Sequence, residues 1–253
     1  MRKLISFIVF CTTLILLSVV DYQPKIIEEA PLPNFARFYD IKLRKRLFIE
    51  FMRLLIKGEN DFVMQQRIQF LKLYKKRTGR KALTAYDMRV FERFAELYFV
   101  NLSEYDQDES WEILKRRIDV IPTELALAQS ANESAWGRSR FAIEGNAMFG
   151  QWSFSKTKVG MIPSARDLDS THTVARFPSV RAAVKSYIKN LNTHRAYLAF
   201  RVLRSKARAG GSELDGHSLA PGLINYSERR EVYVREIQSI MKTNKSFMDL
   251  DLQ

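Results

Sequence analysis

One carboxylate in this sequence stands where a carboxylate is costly. From Pro122 to Gly137 the chain reads Pro-Thr-Glu-Leu-Ala-Leu-Ala-Gln-Ser-Ala-Asn-Glu-Ser-Ala-Trp-Gly. Pro122 suits the first turn of a helix and Gly137 its stop. Ala126, Ala128, Ser130, Ala131, Ser134 and Ala135 are small, so neighbours can pack closely against this helix on several sides. Glu133 falls in its last turn. Desolvation disfavours the ionised form, and the negative end of the helix dipole does the same. Both keep the carboxyl protonated near neutral pH, the state in which it can donate a proton to a leaving-group oxygen. Gln129, four residues back, and Trp136, three residues on, share its helical face. Trp136 offers an apolar wall or a surface for a sugar ring. The structural alternative is that Glu133 simply pairs with one of the many Arg.

The elements that must position this group are mostly helical. Phe48, Phe51, Met52 and Leu55 recur at helical spacing and Gly58 closes them. A second helix is expected from about Asp61 to Arg77, stopping at Gly79. A third starts at Thr84 with Asp87 three residues on, a capping-box pattern. It carries Phe91, Phe94, Ala95 and Tyr98 on one face, and a fourth surrounds Trp111 and Leu114. Two charge runs interrupt this order: Lys72 to Lys81 holds six bases and no acid, and Glu104 to Glu112 five acids and no base. They read as solvated helix ends, or as a polymer patch and a partner face.

Composition limits the partners. With 46% hydrophobic and 27% charged residues, the 253-residue chain is a packed globular protein and not a disordered one. The net charge of +13 predicts an anionic partner. One Cys rules out an internal disulfide and a cysteine zinc site, and His172, His194 and His217 are scattered, so no metal or other cofactor is expected. Arg2 and Lys3 precede an uncharged run from Leu4 to Val20, which Asp21 ends. A basic start and an apolar stretch read as an export signal. Its 17 residues reach the lower limit for crossing a bilayer, so residues 1–21 are a cleaved signal or an uncleaved membrane anchor. Export replaces nucleic acid with the cell wall as the anionic partner.

The motif carries a resemblance. Glu-Ser-Ala-Trp-Gly at 133–137, then Ser139, then Asn146-Ala-Met-Phe-Gly150, resembles the signature of the glucosaminidase family, glycoside hydrolase family 73. Ala135 stands where that signature has Gly, and Ala147 where it has a second Asn. The resemblance implies an α+β, mainly α, lysozyme-like fold with a small β-lobe at about 151–177, and here an N-terminal helical extension. Residues 22–34 would be a linker, 35–119 the extension, 120–245 the glucosaminidase domain and 246–253 a tail. The resemblance makes Glu133 the catalytic acid. Asn225-Tyr226-Ser followed by Tyr233 looks like the family's Tyr-Ala-Thr-Asp … Tyr, which gives Tyr226 the cleft role and leaves Tyr233 as a core aromatic ahead of Ile237, Ile240 and Met241. The expected substrate-binding set is Gln129, Trp136, Asn146, Phe149, Gln151, Trp152 and Tyr187.

A glycosidase usually needs a second carboxylate. The family's second acid is expected in the β-lobe, which here offers Asp167 and Asp169 outside any motif, with Glu144 a further option. A substrate whose 2-acetamido group attacks its own anomeric carbon would need none. The expected activity is therefore exported, monomeric cleavage of the β-1,4 bond after N-acetylglucosamine in periplasmic peptidoglycan. A lytic transglycosylase and a non-catalytic wall-binding or scaffold protein are the alternatives.

Overall fold

The computed structural model describes residues 31–153, Met161 and 173–248. The apolar run 4–20 and the candidate bases Asp167 and Asp169 lie outside the described residues. The chain forms two compact units: Asp61–Asp119, and residues 31–60 together with 120–248. The expected 35–119 extension therefore divides at Asn60.

The first helix, α1, runs unbroken over Ile41–Thr78. Gly58 does not close it. An interior Gly costs a helix only about 0.5–1 kcal/mol relative to Ala, and neither Pro nor a cap stands at that point. Asp40 accepts from the backbone N–H of Lys42 and Leu43 at the start. Lys75, Lys76 and Arg77 complement the negative end.

In the unit 61–119, α2 (Ala85–Leu97) begins with the expected capping box, Thr84 and Asp87 each bonding the other's backbone N–H. The next helix, α3 (Gln107–Arg117), is capped by Asp106 and carries Asp108 and Glu109 in its first turn and Lys115 to Arg117 in its last. Both charge runs are thus helix ends arranged along the dipole, and they meet each other where Arg77 pairs with Asp108, while Lys76 pairs with Asp87 of α2. The core is aromatic. Trp111, fully buried, stacks on Phe91 at 4.2 Å and packs beside Phe70.

The other unit is built around α4 (Thr123–Glu133), whose residues Leu125 to Ala131 are all buried. Around it stand the first half of α1, α5 (Arg140–Gly145), α6 (Val180–Thr193), α7 (Leu198–Ala209), the short α8 (Gly216–Leu219), α9 (Glu231–Thr243) and α10 (Lys245–Met248). The small side chains of α4 let α9 run along it. Strand β1 (Trp152–Ser153) pairs antiparallel with β2 (Thr173–Val174), and Met161 bridges to Val174. This two-stranded ribbon is the small β-lobe of an α+β, mainly α, fold.

Residues 31–60 are integral to this unit. Asn60 both donates to and accepts from the backbone of Ile121, and Glu59 pairs with buried Arg181 at 2.6 Å. Phe48, wholly buried, meets Phe35 at 5.4 Å and Trp136 at 5.6 Å. Several bases are likewise structural: Arg201 donates to the Leu191 and His194 carbonyls at the end of α6, and Arg204 to Val120. Among the described residues no helix is long and apolar enough to cross a membrane. Phe48→Ala should destabilise the protein by about 3–5 kcal/mol, read by equilibrium urea unfolding; a loss below 1 kcal/mol would show that residues 31–60 are a dispensable appendage.

Candidate active site

Glu133 is the last residue of α4, and the chain leaves the helix in a Schellman turn. Trp136 N–H bonds to the Ala131 carbonyl and Ala135 N–H to that of Asn132. Ala135 holds the left-handed position, at φ +50°, followed by Trp136 at +58° and Gly137 at +74°. Three consecutive residues with positive φ are a strained arrangement, and for a bulky Trp a rare one. A Cβ on Gly137 would lie 2.5 Å from the Phe35 ring, so this position admits only Gly. Ser134, fully buried, accepts from Gly137 N–H and donates to the Ser130 carbonyl. Ser139 caps α5. The Glu-Ser-Ala-Trp-Gly-x-Ser string is therefore a recipe for one turn that ends a helix on a carboxylate.

A second segment closes on the same group. The ring of Phe149 stacks on Tyr187 at 3.9 Å, and its carbonyl accepts from the Tyr226 hydroxyl at 2.7 Å. These two contacts lay Gly150 directly on the acid: a Cβ there would sit 2.5 Å from Glu133 Oε2. Four tyrosines complete the surroundings. Tyr226 stacks on Tyr233 at 5.4 Å and lies 5.7 Å from Tyr197, while the Tyr187 hydroxyl donates to Gln129 Oε1 and Gln129 Nε2 to the Tyr233 hydroxyl. Burial raises the Glu133 carboxyl above the ordinary carboxylate range, against hydrogen bonds from Tyr233 and Asn132 and the attraction of Arg229. Arg229 is itself engaged by Glu236 at 2.7 Å. The result is a carboxyl shifted toward its protonated form, in a shell of hydroxyls.

The expected substrate contacts divide differently. Gln129 and Tyr187 are fully buried and Phe149 is 1% exposed, so none of the three can touch a glycan. They hold the acid and the Phe149–Gly150 backbone in place. Asn146 adopts a left-handed cap at the end of α5 and spends its amide on the Phe177 carbonyl. Gln151 donates to Ser186. Trp136 lies beyond the helix end and so shares no helical face with Glu133; its half-buried ring packs against Phe48 and under Lys45 at 4.7 Å. Trp152 belongs to β1. Glu144 is exposed and faces Arg140 on its own helix. The sequence reading missed the hydroxyl of Tyr233, although a buried Tyr in place of Phe is itself a sign that its O–H has a partner. Among the described residues no cluster of His, Cys, Asp and Glu could hold a metal ion.

The family model for mannosyl-glycoprotein endo-beta-N-acetylglucosaminidase matches residues 108–246. The chain is 25% identical to Protein bax of Escherichia coli (strain K12) over 225 residues, which cover 89% of this chain and 78% of that protein. No solved structure matches it.

Two substitutions test the turn and the close approach. Ala135→Gly removes a left-handed alanine and should stabilise the fold by about 0.5–1 kcal/mol, seen as a higher Tm. Gly150→Ala should push the Glu133 carboxyl aside and lower kcat at least tenfold while the far-ultraviolet circular dichroism stays native. Unchanged kcat would mean that the carboxyl position does not matter.

Proposed function

Because the chain belongs to the mannosyl-glycoprotein endo-beta-N-acetylglucosaminidase family, we propose that it is an exported glycoside hydrolase that cleaves peptidoglycan at the β-1,4 bond following N-acetylglucosamine. The observation that carries this reading is Glu133: a carboxyl at a helix end, desolvated and biased toward its protonated form. Its proton goes to the glycosidic oxygen as the bond to the anomeric carbon lengthens, so that the departing sugar leaves as an alcohol and not an alkoxide. Water completes the reaction at the anomeric carbon. Asp167, Asp169 or the substrate's own acetamido group supplies the second role in this proposal. The apolar run 4–20 behind Arg2 and Lys3 supports export to the periplasm, with or without retention in the membrane. The net charge of +13 supports an anionic polymer as substrate.

The raised carboxyl has a consequence for stability as well as for rate. A group whose folded pKa lies above its unfolded value stabilises the fold at low pH, and that contribution is lost as pH rises through the folded pKa. Glu133→Gln cannot ionise. It should therefore melt at or above the wild-type temperature at pH 7 while cleavage of purified peptidoglycan falls about 100- to 10,000-fold. Wild-type activity should decline on the alkaline side as Glu133 loses its proton. Mass spectrometry of the products checks the reaction type, since hydrolysis adds water and transglycosylation does not. Activity within threefold of wild type in Glu133→Gln would remove Glu133 from the mechanism.

A further inference from the structure

The turn that ends α4 is held from outside the stretch that the family model matches. Trp136 stands at φ +58°, a left-handed conformation that a Cβ disfavours. Its ring meets Phe48 edge-on at 5.6 Å, and the Lys45 ammonium lies over the ring at 4.7 Å. The Gly137 backbone that follows is pressed against the same aromatic pair, where a Cβ would come within 2.5 Å of Phe35 and 3.2 Å of Phe48. Lys45 is itself fixed, since its Nζ donates to Asn244 Oδ1 at 3.2 Å. The partners of Asn244 dictate the orientation of its amide: Nδ2 donates to the Ile240 carbonyl at 2.8 Å, and an ammonium can only donate. Asn244 is buried and caps the end of α9, the helix that runs along α4. Lys45 thus ties α1 and α9 to the Trp136 ring.

We propose that Lys45 and Phe48 are positioning residues for Glu133: they clamp the Trp136 ring, and through it the left-handed turn that keeps Glu133 as the last residue of α4. The inference rests on Glu133 being the acid. The route from ring to carboxyl is short. Trp136 N–H bonds to the Ala131 carbonyl at 2.9 Å, and Ser139 N–H to that of Ser134 at 2.9 Å. A ring free to swing away would let Trp136 return to a right-handed or extended conformation. Those bonds would then open, the end of α4 would fray, and the carboxyl would leave its place beside Gly150. A misplacement of about 1 Å can cost about a hundredfold in rate. Trp136 therefore works as a strut and not as a platform for a sugar ring. Residues 108–246 do not by themselves carry every group that the acid needs.

The experiment measures kcat and KM on purified peptidoglycan for the full-length protein, Lys45→Met and Phe48→Leu, and follows the turn itself by amide hydrogen exchange. Lys45→Met keeps an unbranched side chain and removes the charge. Its kcat should fall about tenfold while KM changes by less than about twofold. The Trp136 N–H should exchange about tenfold faster while the amides of α6 keep their wild-type protection, which separates a loosened turn from a less stable fold. Lys45→Arg keeps a cation for the ring and should restore most of kcat. Ala135→Gly relieves the turn without touching the ring, and added to Lys45→Met it should recover about threefold in kcat. Lys45→Met carries the test by itself if Phe48→Leu does not fold. Unchanged kcat or unchanged Trp136 exchange in Lys45→Met would overturn the clamp. So would a rise in KM at constant kcat, the mark of a lost sugar platform. Retained cleavage in Glu133→Gln would overturn the acid assignment instead, while the exchange of Trp136 would still report on the clamp.

Discussion

Shifting one carboxyl toward its protonated form at the end of a buried helix is the constraint around which this molecule is arranged. The penalty for burying Glu133 would be relieved by a nearby cation, but a full ion pair would also hold the group ionised and useless as a donor. The protein surrounds it instead with hydroxyls and peptide groups. Small residues along α4 admit α9 close enough to bring Tyr233 alongside. The stacked Phe149 and Tyr187 rings bring the Gly150 backbone over the other side. Arg229 is near enough to matter, and it is paired with Glu236.

The same constraint explains why backbone conformation is strained where it is. The helix stops immediately after Glu133. Ala135, Trp136 and Gly137 take left-handed conformations to turn the chain away at once. Their strain is held by packing from residues outside the family's own boundaries, since Phe35 and Phe48 fill the space under Gly137 and beside Trp136.

What was legible in the sequence was the local chemistry: the capping box at Thr84, the small-residue helix, the acid at its end and the direction of its pKa. The long helix was not, because a lone Gly58 signals a stop only when the surrounding packing allows one. Nor was the division of labour within the motif. Gln129, Phe149 and Tyr187 have the side chains of sugar-binding residues, and only the packing shows that their faces are spent inside the protein. Tyr226 and Tyr233 are alike in sequence, yet one hydroxyl holds the Phe149 backbone and the other faces the acid. The basic excess reads as a polymer footprint, although Arg181, Arg201 and Arg204 are buried in structural bonds.

The unit that holds the acid is interrupted in sequence, and this fixes an order of events during synthesis. Lys45 on α1 bonds to Asn244, 199 positions later, and Arg53 to the carbonyl of Phe247. The ribosome thus makes the first half of α1 long before its partners exist. Residues 61–119, with their own aromatic core, can close early as a local unit, as chains generally do from the N-terminal side. The surroundings of Glu133 are complete only when α9 packs along α4. The desolvation that raises the Glu133 carboxyl therefore depends on segments made far apart in time.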